Sequence, residues 1–107
     1  MKEYEKTSIV IIVLNYINCE LTKICIENLL KIGIQYQIVI VDNNSPNNSF
    51  EFLKEKFKEK NNVLVVKSDK NGGYSYGNNY GIKIANTIGK FENICIMNPF
   101  CQDFSYP

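Results

Sequence analysis

The stretch Ser8–Leu14 reads Ser-Ile-Val-Ile-Ile-Val-Leu, a run of β-branched and aliphatic residues with no polar interruption. A strand with one wet face alternates apolar and polar side chains, so a strand written without alternation is buried on both faces. Gln37–Val41 repeats the pattern, and shorter apolar runs follow at Val63–Val66 and Asn93–Met97. Helical patterns separate the four. Asn18 is placed to cap a helix in which Leu21, Ile24, Cys25 and Leu29 mark an apolar stripe and Gly33 is the stop. Ser49 suits the N-cap of a second helix, with Phe50, Leu53 and Phe57 on one face and the Lys54–Lys60 charges in solvent. In a third, Tyr76, Tyr80, Ile84 and Ile88 recur every fourth residue before Gly89 ends it. Strands and helices that alternate in this way need crossover connections. The sequence therefore predicts an α/β fold: a Rossmann-like parallel sheet, ordered 3-2-1-4, with right-handed crossovers and helices on both faces. Residues 1–99 read as one domain and 100–107, which carry no periodicity, as an irregular C-terminal tail.

Composition narrows the function classes. With 107 residues, 45% hydrophobic, 21% charged and a net charge of +1, the chain is an ordinary globular domain without the basic footprint of a nucleic-acid binder. The longest apolar run, Ile9 to Leu14, is too short to span a bilayer, and Met1–Ser8 lacks a signal-peptide cleavage site. The expected compartment is the cytoplasm, with the inner face of the membrane as the alternative. Cys19, Cys25, Cys95 and Cys101 lack the two-residue spacing of zinc ribbons and read as buried free thiols. There is no histidine, which removes the commonest general base and every Ser-His or Cys-His pair.

In open parallel sheets ligands bind beyond the carboxyl ends of the strands. Here that edge comprises Asn15-Tyr16, Asp42-Asn43-Asn44-Ser45, Lys67–Gly73 and Asn98. Such polarity points to a small polar ligand. The third of these loops runs into a helix start with Gly72, Gly73, Gly77 and Gly81. A glycine inside a helix costs about 1 kcal/mol relative to alanine, and the simplest offset is close approach of backbone to a ligand or a strand. The spacing is not that of the dinucleotide fingerprint, which follows the first strand.

Val13-Leu14-Asn15-Tyr16, Val39-Ile40-Val41-Asp42-Asn43-Asn44-Ser45 and the stretch from Asn71-Gly72-Gly73-Tyr74 to Asn79-Tyr80-Gly81-Ile82 together resemble family-two glycosyltransferases of the GT-A fold, closest to the rhamnosyltransferase-like branch. The resemblance covers Ser8 to about Pro99. It implies transfer of a sugar from a pyrimidine nucleotide-sugar, UDP- or dTDP-linked, to a saccharide acceptor. By the same resemblance the main chain around Leu14, Asn15 and Tyr16 lines the base pocket, and Asp42 accepts a hydrogen bond from the pyrimidine N–H. Asn43, Asn44 and Ser45 shape the loop beside the ribose; Asn71, Gly72 and Gly73 pack near base and ribose; Asn79 faces the donor cleft. The family also implies a divalent metal, Mg or Mn, held by an aspartate after Asn98-Pro99. Phe100 stands there, and a phenylalanine cannot ligate a cation that wants oxygen donors. Asp103 is a poor substitute, and no residue is assigned as catalytic or metal-binding. The expectation is a truncated or interrupted enzyme, inactive alone, with an exposed half-domain face that favours homo-oligomers.

Other readings stay open at this stage. Asp42 in front of asparagines also suits an Asx-turn, Asn43 and Asn44 suit left-handed turn positions, and Gly72-Gly73 suit a plain strand-to-helix turn. Tyr74, Tyr76 and Tyr80 suit packing. At the level of function, the alternatives are a non-catalytic nucleotide-binding module and a nucleotidyltransferase fragment. The latter calls for a glycine- and lysine-rich loop after the first strand, which Asn15-Tyr16-Ile17-Asn18 does not offer.

Overall fold

A computed structural model describes residues 9–33 and 36–99. The elements alternate as β1 (Ile9–Asn15), α1 (Cys19–Lys31), β2 (Gln37–Asp42), α2 (Ser49–Phe57), β3 (Val63–Lys67), α3 (Tyr74–Ile88) and β4 (Asn93–Met97). The four strands form one parallel sheet, as the alternation predicts, in the order β3-β2-β1-β4 expected of the Rossmann-like arrangement.

Strand pleating sorts the apolar runs onto two faces. Ile11, Val13, Ile38, Ile40 and Val65 meet Ile26 of α1 and Leu53 and Phe57 of α2. On the other face, Val10, Ile12, Leu14, Val39 and Val41 meet Ala85 of α3. Both central strands are therefore covered twice, which is why their sequences never alternate. Register carries Asn15 beside Asp42, and Asp42 beside Lys67, so the polar ends of the strands finish at one level.

Helix α1 begins where expected: the Asn18 side chain accepts from Leu21 N at 3.4 Å. It stops as Gly33 turns to φ +91°. Three expectations are corrected. The buried face of α1 is Thr22, Cys25 and Ile26, while Ile24 is 49% exposed. Helix α2 is capped one residue earlier than expected, at Asn48; Ser49 is its buried first residue, and its N–H donates to Asn47 Oδ1 at 3.1 Å. Helix α3 packs through Gly77, Asn78, Gly81 and Ala85, with Tyr76 and Tyr80 at its flank and Ile88 exposed.

The small residues make that third helix sit close. A Cβ on Gly81 would stand 2.7 Å from Ile12 Cγ2 and 2.9 Å from Val41 Cγ2, and one on Gly77 would collide with Leu14 Cδ1. The glycines are thus explained by approach of helix to sheet. Of the cysteines, Cys25 is buried, Cys19 partly so and Cys95 exposed on β4, so burial holds for one of the three described thiols. Residues 100–107, with Phe100, Cys101 and Asp103, lie outside the described residues.

Candidate functional site

At the carboxyl rim the loops after β1 and β2 are locked by a buried polar network. Asn15 Nδ2 donates to Asp42 Oδ1 at 2.9 Å, while Thr22 Oγ1 donates to Asn15 Oδ1 at 2.6 Å. Ser45 donates twice to the same carboxylate: its N–H to Oδ2 at 2.9 Å and its hydroxyl to Oδ1 at 2.7 Å. Asn44 makes that turn possible by taking φ +59°, a left-handed position that asparagine tolerates. Ser45 Oγ in turn accepts from Ile17 N at 2.7 Å. Ile17 itself sits at φ +69°, an outlier for a β-branched residue. Asn47 Nδ2 and Ser49 Oγ hold it there by donating to its carbonyl at 2.9 and 3.0 Å.

Asn43 ties in the third loop. Its Nδ2 donates to Asn71 Oδ1 and to Gly73 O, both at 3.1 Å, and its Oδ1 accepts from Ser68 Oγ at 3.1 Å. Asn71 Oδ1 also accepts from Gly73 N at 3.1 Å. Gly73 then opens α3 at φ +96° and ψ 179°, a conformation essentially reserved for glycine. No side chain caps α3 and its first turn holds no acid, so its uncapped N–H groups give the rim a partial positive charge.

These loops enclose a cleft of about 220 Å³ lined by Leu14, Tyr16, Asn43, Asn71, Gly73, Tyr74 and Asn98. Five of the residues singled out from sequence are thereby brought together: Leu14, Tyr16, Asn43, Asn71 and Gly73. Asn15, Asp42 and Ser45 stand behind the wall, each 4% exposed or less. The Asp42 carboxylate takes three donors from the protein and has no exposed surface. With no surface on the cleft, it reaches a base only if the wall in front of it moves. Asn44, Gly72 and Asn79 are exposed and do not line the cleft; Gly72 instead lies against Tyr76, whose Cγ a Cβ would meet at 2.6 Å. Tyr74, which the sequence left to packing, is a half-exposed wall of the cleft. Asn78, the neighbour of the residue chosen, is the buried member of the pair but is not among the lining residues. Helical phase set by Gly77 and Gly81 is the signal that separates Asn78 from Asn79.

Beside the cleft, Tyr76 OH donates to Asp69 Oδ1 in a short hydrogen bond and Lys70 Nζ lies 5.0 Å from the Tyr76 ring centre. The hydrogen bond from Tyr76 holds the Asp69 carboxyl below the usual carboxylate range and pushes the Tyr76 phenol up. A larger hollow, about 450 Å³, lies at the amino ends of the strands between Gln37, Asn61, Asn62 and the Ile88–Phe91 turn. The amides of Gln37 and Asn62 are committed to backbone: Gln37 Nε2 donates to Ile38 O and Asn62 O, and Asn62 Nδ2 to Tyr36 O. Open parallel sheets bind at the opposite end, and the smaller cleft is the candidate.

A divalent cation does not fit the residues described. Among them no group of three or more His, Cys, Asp or Glu side chains converges. The acids nearest the rim, Asp42 and Asp69, are occupied by Asn15 and Ser45 and by Tyr76.

Comparison with known proteins agrees with the fold. Residues 8–88 match the family described as Glycosyl transferase family 2. Among solved structures, the chain is similar to the mannosyltransferase PcManGT from Pyrobaculum calidifontis, in complex with GDP-Man and Mn2+: 15% identity, TM-score 0.64, covering 72% of this chain. This chain spans about a quarter of that one, 24%. No curated protein matches. The shared architecture is a partial GT-A fold.

Proposed function

The chain belongs to glycosyl transferase family 2, and from that premise we propose that residues 1–99 are the donor-binding half of a glycosyltransferase. The cleft holds the nucleotide of a nucleotide-sugar whose sugar passes to a saccharide acceptor. The observation that carries this is Asn43: its amide joins the loops after β2 and β3 to the start of α3, beside Leu14 and Tyr16. In this reading the Leu14–Tyr16 segment and Tyr74 bracket a base, the Asn71–Gly73 turn borders the ribose, and the open start of α3 favours the donor's negative charge.

The donor we propose is a pyrimidine nucleotide, UDP- or dTDP-linked. That part rests on the resemblance of Asp42–Ser45, with Asp42 reaching the base N–H when the wall in front of it moves. Inverting transfer breaks the anomeric C–O bond to the diphosphate as an acceptor oxygen bonds the opposite face of that carbon. The acceptor proton must then pass to a base. Among the described residues that line the cleft none is a carboxylate, and a second reading is a nucleotide-binding module without turnover.

Calorimetric titration of the 107-residue chain with UDP, dTDP and GDP, with and without Mn2+, tests both. The transferase reading expects UDP or dTDP to bind more tightly than GDP, with binding stimulated by the metal. Metal-independent binding supports the module. Failure of every nucleotide to bind removes both.

A further inference from the structure

Three residues, Tyr16 to Asn18, turn the chain from β1 into α1. The turn closes at its first step: Asn18 N–H donates to Tyr16 O at 2.7 Å across Ile17, whose φ is +69°. A hydrogen bond between residues i and i+2 around a positive φ is the rare, strained form of the γ-turn, and a β-branched centre strains it further. Asn18 follows with φ −94° and ψ 67°, the common inverse form, as Cys19 N–H donates to Ile17 O at 3.1 Å. Burial does not offset the strain, because Ile17 is 46% exposed. The residue that the strained turn sets in place is Tyr16, which walls the cleft beside Leu14.

A strained turn persists only where its surroundings over-determine it, and here they do. Ile17 N–H donates to Ser45 Oγ at 2.7 Å. Besides Cys19 N–H, the Ile17 carbonyl accepts from Asn47 Nδ2 at 2.9 Å and from Ser49 Oγ at 3.0 Å, three donors on an oxygen with two lone pairs. Asn47 and Ser49 belong to the loop after β2 and the start of α2, outside all three motif stretches. Ser49 is fully buried, so its hydroxyl meets the carbonyl without competition from water. Neither residue lines the cleft.

We propose that Asn47 and Ser49 are positioning residues for nucleotide binding: by holding the Ile17 carbonyl they keep the strained γ-turn closed, and the closed turn keeps Tyr16 at the cleft wall. The proposal rests on the reading of the cleft as a nucleotide site. Isoleucine makes the arrangement conditional. When a donor is removed, an isoleucine at +69° relaxes toward negative φ and takes the Tyr16 carbonyl out of the turn. A glycine would stay, because positive φ is open to it without strain. The two donors thus act on the ligand through Ile17 and Tyr16, with no contact of their own.

The test removes each donor in two backgrounds. Ser49→Ala and Asn47→Ala are made in the wild-type 107-residue chain and in Ile17→Gly. All are titrated calorimetrically with UDP, dTDP and GDP, and unfolded in urea without nucleotide. In the wild-type background we expect each substitution to weaken the best-bound nucleotide about fivefold, the worth of one net hydrogen bond. In the Ile17→Gly background the same substitutions should leave affinity close to that of Ile17→Gly alone. Donors with a purely structural role would lower the urea midpoint in both backgrounds and change affinity in neither, and that result overturns the proposal. An equal loss of affinity in both backgrounds also overturns it, because the donors would then act without Ile17. Should Ser49→Ala not fold, Asn47→Ala, at an exposed position, carries the same comparison. If the wild-type chain binds none of the three nucleotides, the cleft reading falls first and this one with it.

Discussion

The carboxyl group of Asp42 sits where no water reaches it, and three protein donors stand in for the lost solvation. Removing the carboxylate leaves the Asn15 amide and both Ser45 donors facing nothing, in a site shut off from solvent. Each orphaned donor costs about 1–3 kcal/mol. Asp42→Ala should therefore lower the unfolding free energy of the nucleotide-free chain by roughly 3 kcal/mol, some relaxation of the Ser45 turn included. A urea unfolding curve checks it: a midpoint within error of wild type would mean that the network contributes little and that Asp42 is held for the ligand alone. The sequence shows an aspartate at a strand end followed by asparagines, and both a base contact and an Asx-turn were legible from that. The turn is present, in the Ser45 N–H bond. What local sequence hides is Asn15, 27 residues away, brought alongside by strand register. Convergence of distant donors on one carboxylate is a property of the sheet, invisible to any window along the chain.

Among the elements, α3 departs furthest from its sequence pattern. The four-residue recurrence of Tyr76, Tyr80, Ile84 and Ile88 predicts a large apolar face, yet the contact face runs through Gly77, Gly81 and Ala85. Periodicity counts apolar bulk, whereas a helix pressed onto two strands needs gaps, and glycine registers as a gap only once the strand side chains are in place. The two central strands were legible to within a residue because burial on both faces writes the same signal at every position. Gly81→Ala separates the two influences. Alanine raises intrinsic helix stability by about 1 kcal/mol, but its Cβ would stand 2.7 Å from Ile12 and 2.9 Å from Val41. Neither partner has room to retreat, both being fully buried. Overpacking of this kind costs about 1–3 kcal/mol, so the substitution should be net destabilising. The check is again the urea midpoint; a rise would show that the helix lifts from the sheet at little cost. Because Leu14 and Asn43 lie against Gly77 one turn earlier, a lifted helix should also widen the cleft.

At the scale of the molecule, the parallel pairing followed from alternation, and so did the rim where the polar loops gather, because parallel strands deliver their ends to one edge. The order β3-β2-β1-β4 leaves β4 outermost. Its sequence, Asn-Ile-Cys-Ile-Met, carries no charge, proline or bulge to discourage pairing with another strand. Ile94 and Ile96, beside Val10 and Ile12 in register, are 41% and 43% exposed, since α3 covers the two central strands and stops short of the edge. Among the described residues no strand pairs with the outer edge of β4 and no helix covers its apolar face, and an edge and face of that kind favour association. Self-association of the chain is thus the expected behaviour at high concentration, and Ile96→Lys should suppress it. A lysine there keeps its stem along the sheet and its ammonium in water, so the monomer loses little, while a partner strand would have to bury the charge. Light scattering across a concentration series, with the urea midpoint as a control on folding, reads the two effects separately. Scattering that rises equally in wild type and Ile96→Lys would place the sticky surface elsewhere, and scattering that falls only alongside a collapsed midpoint would show that Ile96 serves the monomer's own core.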